Sequence, residues 1–131
     1  MSYLLDTNIC IAFLNAVEPE LRARLRSVSP EEVKLCSVVK AELLYGARAS
    51  SQVQENLARL DEFFAVFDSL PFDDAAAAQY GSLRTQLRRE GRPIGASDMM
   101  IAAIALTEDL TLVSRNADEF RHVAALRVEM W

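Results

Sequence analysis

Short runs that are apolar at nearly every position alternate along this chain with longer stretches in which apolar residues return every third or fourth place. Tyr3 to Leu5, Val33 to Ser37 (broken by Lys34 and Ser37) and Thr111 to Val113 are of the first kind, the pattern of strands buried on both faces. The second kind predicts helices. One follows the polar corner Asp6-Thr7-Asn8 and runs to about Leu14, capped by Thr7 or Asn8; another opens at Pro19, carries Leu21, Leu25 and Val28, and ends near Ser29-Pro30. Ser37 is placed to cap a helix over Val38 to Ala49. A longer one spans Gln52 to Phe67, where Val53, Leu57, Leu60, Phe63, Phe64 and Phe67 mark one face. Asp73 opens a helix that Gly91 stops, with arginines gathered at its end, and Ser97 or Asp98 starts one over Met99 to Thr107. Ser69 to Phe72 fits a short strand that Pro71 confines to a sheet edge. Ala117 to Phe120 fits a helical turn and Leu126 to Trp131 a last strand. Gly91 to Gly95 is a loop. The alternation predicts an α/β fold, a mostly parallel sheet of four to five short strands flanked by helices, with its active site beyond the carboxyl ends of the strands.

Composition narrows the chemistry. At 131 residues and 51% hydrophobic, the chain is expected to be one domain with a continuous core and no repeat or linker. No apolar run reaches the ~18 residues of a membrane span and no signal peptide is evident, so a cytoplasmic protein is expected. Cys10 and Cys36 lie in apolar segments without metal-knuckle or redox spacing, the setting of buried free thiols. His122 is the sole histidine, which excludes mechanisms needing two imidazoles and leaves the chemistry to carboxylates. The net charge of -5 argues against binding nucleic acid by overall charge, so contact with a polyanion requires a local patch. Arg22, Arg24 and Arg26 form one cluster, and Arg84, Arg88, Arg89 and Arg92 another; each is equally read as a solvated helix face.

Most acids stand in charged pairs such as Glu31-Glu32, Asp61-Glu62 and Asp73-Asp74. Asp6, Glu42 and Asp98 are different: each is the lone carboxylate of an apolar stretch, at or soon after a strand end or helix start. Taken singly each has a structural explanation, Asp6 and Asp98 as helix caps and Glu42 as the partner of Lys40, Arg48 or a distant arginine. Gathered at one sheet edge, they repel one another and lose hydration, which costs several kcal/mol unless a cation offsets it. Mg²⁺ or Mn²⁺ prefers this ligand set. Asn116 and Glu119, which follow the strand ending at Val113, share a face if their turn is helical and add candidate contacts to the ion; Asn116 is equally a helix cap. With Thr7 or Asn8 as cap, Asp6 is left free to ligate.

Four motifs in order, Leu4-Leu5-Asp6-Thr7-Asn8-Ile9-Cys10-Ile11, Ala41-Glu42-Leu43-Leu44-Tyr45-Gly46-Ala47, Gly91-Arg92-Pro93-Ile94-Gly95-Ala96-Ser97-Asp98-Met99-Met100-Ile101-Ala102-Ala103 and Leu112-Val113-Ser114-Arg115-Asn116-Ala117-Asp118-Glu119-Phe120, resemble the PIN-domain toxins of VapBC toxin-antitoxin systems across essentially the whole chain. The resemblance implies a single PIN domain over 1–131 and a Mg²⁺-dependent endoribonuclease, with Mn²⁺ as the alternative ion. Asp6, Glu42 and Asp98 match the acidic metal-site positions, and Asn116 and Glu119 the fourth region. It also implies a VapB-type antitoxin that blocks the site, a homodimer, and a structured RNA substrate such as initiator tRNA. Hydrolysis by activated water then leaves a 5′-phosphate and a 3′-hydroxyl, and Arg84, Arg88, Arg89 and Arg92 are the candidates for placing RNA. Two departures are local: Ile104 stands where many relatives carry histidine, and the tail ends Val128-Glu129-Met130-Trp131 where an acid often precedes the tryptophan.

Two other classes remain. A phosphotransferase of the haloacid dehalogenase type, with Asp6 as nucleophile, needs a second aspartate where this chain has Asn8. A non-catalytic module would use the same acids to pair with a partner's arginines.

Overall fold

In the computed structural model, which describes residues 1–15 and 18–131, the chain runs β1 (Tyr3–Leu5), α1 (Thr7–Asn15), α2 (Pro19–Arg26), a 3₁₀ turn (Pro30–Glu32), β2 (Val33–Cys36), α3 (Ser37–Arg48), α4 (Val53–Val66) and β3 (Asp68–Leu70). It continues through α5 (Asp74–Arg89), α6 (Ala96–Thr107), β4 (Thr111–Val113), α7 (Ala117–Phe120) and β5 (Val128–Glu129). The strands pair in one sheet in the order β3-β2-β1-β4-β5, and every pairing is parallel. The predicted α/β architecture is present.

The apolar runs become the interior of the sheet for the reason their pattern gives: all three residues of β1 and of β4 are buried. Around them Leu4, Leu35, Ile101, Ile104, Leu112 and Phe120 fill the core. Ile104 is only 1% exposed, so the position that departs from the family pattern is a packing position here. β3 takes an edge of the sheet as expected, but it spans Asp68–Leu70 rather than Ser69 to Phe72, ending before Pro71, which has no N–H to continue the ladder. The chain leaves β1 for β2 and β3 on one side, then crosses back to β4 and β5 on the other. The strand order thus reverses between β1 and β4, and open parallel sheets place ligands beyond the carboxyl ends of their strands near such a point.

Several helix ends differ from expectation. α2 stops at Arg26, because Ser27 folds its hydroxyl back onto the Arg24 carbonyl at 2.6 Å and Pro30 opens a separate 3₁₀ turn. Ser37 does not cap α3; it is the first helical residue, and its hydroxyl accepts the Phe72 N–H from beyond β3. α6 begins at Ala96 with Gly95 as the flanking residue, so Asp98 lies in its first turn and neither Ser97 nor Asp98 is the cap. Asp73 caps α5 as expected, accepting the Ala76 N–H at 2.9 Å. At the C-terminus, Glu129 pairs with Arg24 at 2.6 Å and accepts the Trp131 indole N–H at 3.0 Å, while Arg24 also lies over the Trp131 ring. Arg22 lies over Phe13, so the first arginine cluster fastens helix α2 to its neighbours.

Phe120, fully buried, anchors the four-residue α7 that carries Glu119. Phe120→Ala is expected to lower the unfolding free energy by about 3–5 kcal/mol, the usual cost of emptying a buried aromatic site. Urea unfolding checks this, and a loss below about 1 kcal/mol would show that α7 is held by something else.

Candidate active site

Asp6 follows β1 directly, and its backbone N–H continues the β1–β4 pairing onto the Val113 carbonyl at 3.1 Å. It is 4% exposed, and its Oδ1 accepts the Ile9 N–H at 2.9 Å. Asp6 is therefore the N-cap of α1, a role expected of Thr7 or Asn8. The reason is register: the helix starts at Thr7, so the last extended residue is the one whose side chain can reach the amide three places on. A carboxylate has about four acceptor positions, so capping does not exhaust it. Burial pushes its pKa up; the neighbouring Ser114 hydroxyl and the Ile9 amide pull it back, the Glu42 charge raises it again and Arg115 lowers it.

Thr7, displaced from the cap, donates its hydroxyl to Glu42 Oε1 at 2.6 Å and so ties α1 to α3. Glu42 is exposed. Its apolar sequence neighbours mislead, because Leu44 and Tyr45 are exposed as well, Tyr45 at 76%. No ion pair joins Glu42 to Lys40 or Arg48 among the described residues.

Asp6, Thr7, Asn8, Ile11, Ala41, Glu42, Tyr45 and Asp98 line one open cleft of about 580 Å³ at the carboxyl edge of the sheet. Asp98 is the most strained of its acids. Its carboxyl is pushed up to about 6, first by burial and then by the negative charges of Glu119, Glu42 and Asp6. Asp6 just after β1, Glu42 midway along α3 and Glu119 in α7 thus all act on Asp98 in the first turn of α6. Asn116 donates its side-chain N–H to Glu119, so these two do share a face; Asn116 precedes α7 without its side chain capping it. Among the described residues no three Asp, Glu, His or Cys side chains converge closely enough to hold an ion unaided. The donor set is nonetheless all oxygen and net negative, and Mg²⁺ binds through one or two carboxylates while keeping several waters. The cleft's donor set therefore suits such an ion in kind, and Asp6, Glu42 and Asp98 are the carboxylates that line it.

Three functional contacts escaped the sequence reading. Ser114 is fully buried beside Asp6 and accepts the Asn116 N–H at 2.9 Å. The register Leu5↔Val113 makes Asp6 and Ser114 the next facing pair, a signal available once β1 and β4 are known to be neighbours. Thr7 was read only as a cap. Arg115 pairs with Glu18 and its charge is felt at Asp6, a contact with no local sequence signature. Arg84, Arg88, Arg89 and Arg92 are exposed, and none lines the acidic cleft. Cys10 and Cys36 are buried free thiols whose pKa values burial raises, which fits a packing role. A separate hollow of about 300 Å³ between α5 and α6 holds Asp109 and Arg127, which pair with each other at 3.0 Å.

Residues 3–126 match the PIN domain family. Over all 131 residues the chain is 38% identical to the tRNA(fMet)-specific endonuclease VapC of Shigella flexneri, covering 98% of that protein. The chain belongs to the VapC family of PIN-domain ribonucleases. It is also 35% identical to ribonuclease VapC2 of Rickettsia felis, over all of this chain and 98% of that one. The crystal structure of VapBC2 from Rickettsia felis bound to a promoter DNA fragment superposes with a TM-score of 0.95 at 34% identity, covering 100% of this chain and 99% of that one. The PIN fold anticipated from the motifs is the fold observed.

The raised Asp98 pKa carries a sign. Because the folded value, about 6, exceeds the ordinary 3.8, the folded chain binds more protons than the unfolded chain between these values. The stability from this group is complete below about pH 4 and is lost as the pH rises through about 6. Asp98→Asn, which fixes the neutral form, is therefore expected to raise the unfolding midpoint in EDTA at pH 7.5, with the gap closing toward pH 4. Thermal unfolding from pH 4 to 8 checks this, and a gap independent of pH would contradict it.

Proposed function

We propose that this chain is a single PIN domain acting in the cytoplasm as the endoribonuclease toxin of a VapBC-type toxin-antitoxin pair, dependent on Mg²⁺ or Mn²⁺. The observation that carries the reading is the cleft that brings Asp6, Glu42 and Asp98 together at the carboxyl edge of the sheet, in a chain of VapC type from end to end. Asp6, Asp98, Glu42 and Glu119 are the acids that would hold the metal, with Asp6 and Asp98 the first choice for ligands. Bound there, a divalent cation supplies Lewis-acid activation of the attacking water and of the scissile phosphate.

The chain's own groups do the positioning. Asp6 is fixed at both backbone and side chain, its N–H donating to the Val113 carbonyl and its carboxylate accepting from the Ile9 amide, so its carboxylate is held without reorganisation when substrate arrives. Glu42, steadied by Thr7, is placed to orient the nucleophilic water. Asn116 holds Glu119 at the far side. Arginines drawn from the group Arg84, Arg88, Arg89 and Arg92 place the RNA. Structured RNA is the proposed substrate, initiator tRNA foremost, since the Shigella relative is a tRNA(fMet)-specific endonuclease. A VapB-type antitoxin and a second copy of this chain are the proposed protein partners, in line with the VapBC2 complex of Rickettsia felis. Among the described residues no helix is long and apolar enough to cross a membrane.

Purified protein incubated with total RNA and Mg²⁺ is expected to cut at discrete sites, leaving 5′-phosphate and 3′-hydroxyl ends, with cleavage lost in EDTA. Asp6→Ala and Asp98→Ala are expected to slow it by more than about 100-fold, the scale of losing one preorganised electrostatic contact. End mapping and rates check both. A 2′,3′-cyclic phosphate, or cutting that persists in EDTA, would contradict the metal-water mechanism. Phosphatase turnover abolished by Asp6→Ala would favour the phosphotransferase instead, and absence of any activity the binding module.

A further inference from the structure

Arg84, Arg88, Arg89 and Arg92 are not one patch. Tyr80, Arg84, Leu87 and Arg88 recur at helical spacing along one stripe of α5, whereas Gly81, Thr85 and Arg89 form the next stripe, about 100° around the helix. The two stripes face different surroundings. Arg84 and Arg88, with Leu87, border a hollow of about 180 Å³ closed by Pro93, Ile94 and Met99, and Met99 is the residue after Asp98. Arg89 lies instead on an open surface with Gly81, Thr85 and Glu90. Arg92, in the loop that leads to α6, meets His122, just beyond α7, with Nη1 2.9 Å from Nδ1. The connections that deliver Asp98 and Glu119 to the cleft thus also carry this pair.

The chemistry of the pair is one-sided. With Nδ1 accepting from Arg92, the ring keeps its proton on Nε2, so both side chains present only N–H donors outward. Arg84 donates to the Tyr80 hydroxyl at 2.8 Å. Among the described residues none of Arg84, Arg88 and Arg92 makes an ion pair, while Arg24, Arg115, Arg121 and Arg127 each hold a carboxylate. Exposed donors on the same connections as the cleft acids, with Met99 of their hollow adjoining Asp98 in sequence, suit a ligand that brings its own negative charge and spans both regions. A polynucleotide backbone does so, with one phosphate at the acidic cleft and its neighbours on the donors.

We propose that Arg84, Arg88 and the Arg92–His122 pair form a phosphate-contacting track that leads RNA into the acidic cleft, and that Arg89 lies off it. The proposal rests on the ribonuclease reading above and adds which side chains grip the substrate.

The test is binding of a fluorescein-labelled RNA hairpin, followed by anisotropy in EDTA between 50 and 300 mM KCl, with circular dichroism confirming that each variant is folded. Each lost phosphate contact flattens the slope of log K against log salt by about 0.7–0.9. Arg84→Ala/Arg88→Ala is expected to flatten it by about 1.5, Arg92→Ala/His122→Ala by about 0.8, since the neutral His122 ring brings a donor but no charge, and Arg89→Ala is expected to leave it unchanged. If a double alanine variant unfolds, Arg88→Gln and Arg92→Gln serve in its place, each expected to flatten the slope by about 0.8. Slopes unchanged in the track variants, or flattened as much by Arg89→Ala as by a track arginine, would overturn the track. That failure is distinct from failure of the ribonuclease reading, in which the slopes change as stated but no divalent ion elicits cleavage.

Discussion

Burial and mutual repulsion of carboxylates in the cleft at the carboxyl edge of the sheet are the constraint around which the molecule is arranged. Asp98 feels Glu119, Glu42 and Asp6 and is given no cation in return. Asp6 is better served, since the Ile9 amide, the Ser114 hydroxyl and Arg115 all favour its charged form against burial. The deficit of positive charge is therefore greatest at Asp98. A chain that kept this arrangement only for stability would do better with asparagine there. The acids persist at a cost to the empty fold, the familiar exchange of stability for function.

Topology explains how residues so far apart in sequence come to share one edge. All five strands run the same way, so each strand's carboxyl end faces the same side and each following turn delivers its first polar residues there. Asp6 and Ser114 arrive as consecutive steps of one parallel register. Glu42 and Asp98 arrive from helices whose first turns begin at or near that edge. The short strands matter as well. With only three residues in β1 and β4, the core lies immediately beneath the cleft, and the buried Phe120 sits one residue from Glu119.

Sheet, helices and the gathering of acids were legible in the sequence because burial on both faces, helical periodicity and isolated charges in apolar stretches leave direct marks. What stayed hidden depended on exact helix starts or on contacts across the fold. One residue of register decides that Asp6 caps α1 and frees Thr7 to hold Glu42, a partner thirty-five positions away. Glu42 shows the limit of reading environment from neighbours: Leu44 and Tyr45 are apolar but exposed, so an apolar stretch is not a buried one. The arginines likewise read as a single cluster along the chain, and only the helical rotation and the fold of residues 91–95 divide them. Ser114 was within reach of sequence reasoning, but only after β1 and β4 were paired.

If relief of repulsion is what the cleft lacks, a divalent ion must stabilise the folded chain before any RNA is present, because a ligand that binds only the folded state raises its stability by mass action. The most direct measurement is the thermal unfolding midpoint at pH 7.5 as MgCl₂ is titrated, against KCl at matched ionic strength, for the natural chain and for Asp6→Asn/Asp98→Asn. The account predicts a midpoint that climbs with Mg²⁺ well beyond the KCl control in the natural chain and not in the double variant. Equal curves for Mg²⁺ and KCl, or the same climb without the two aspartates, would contradict it.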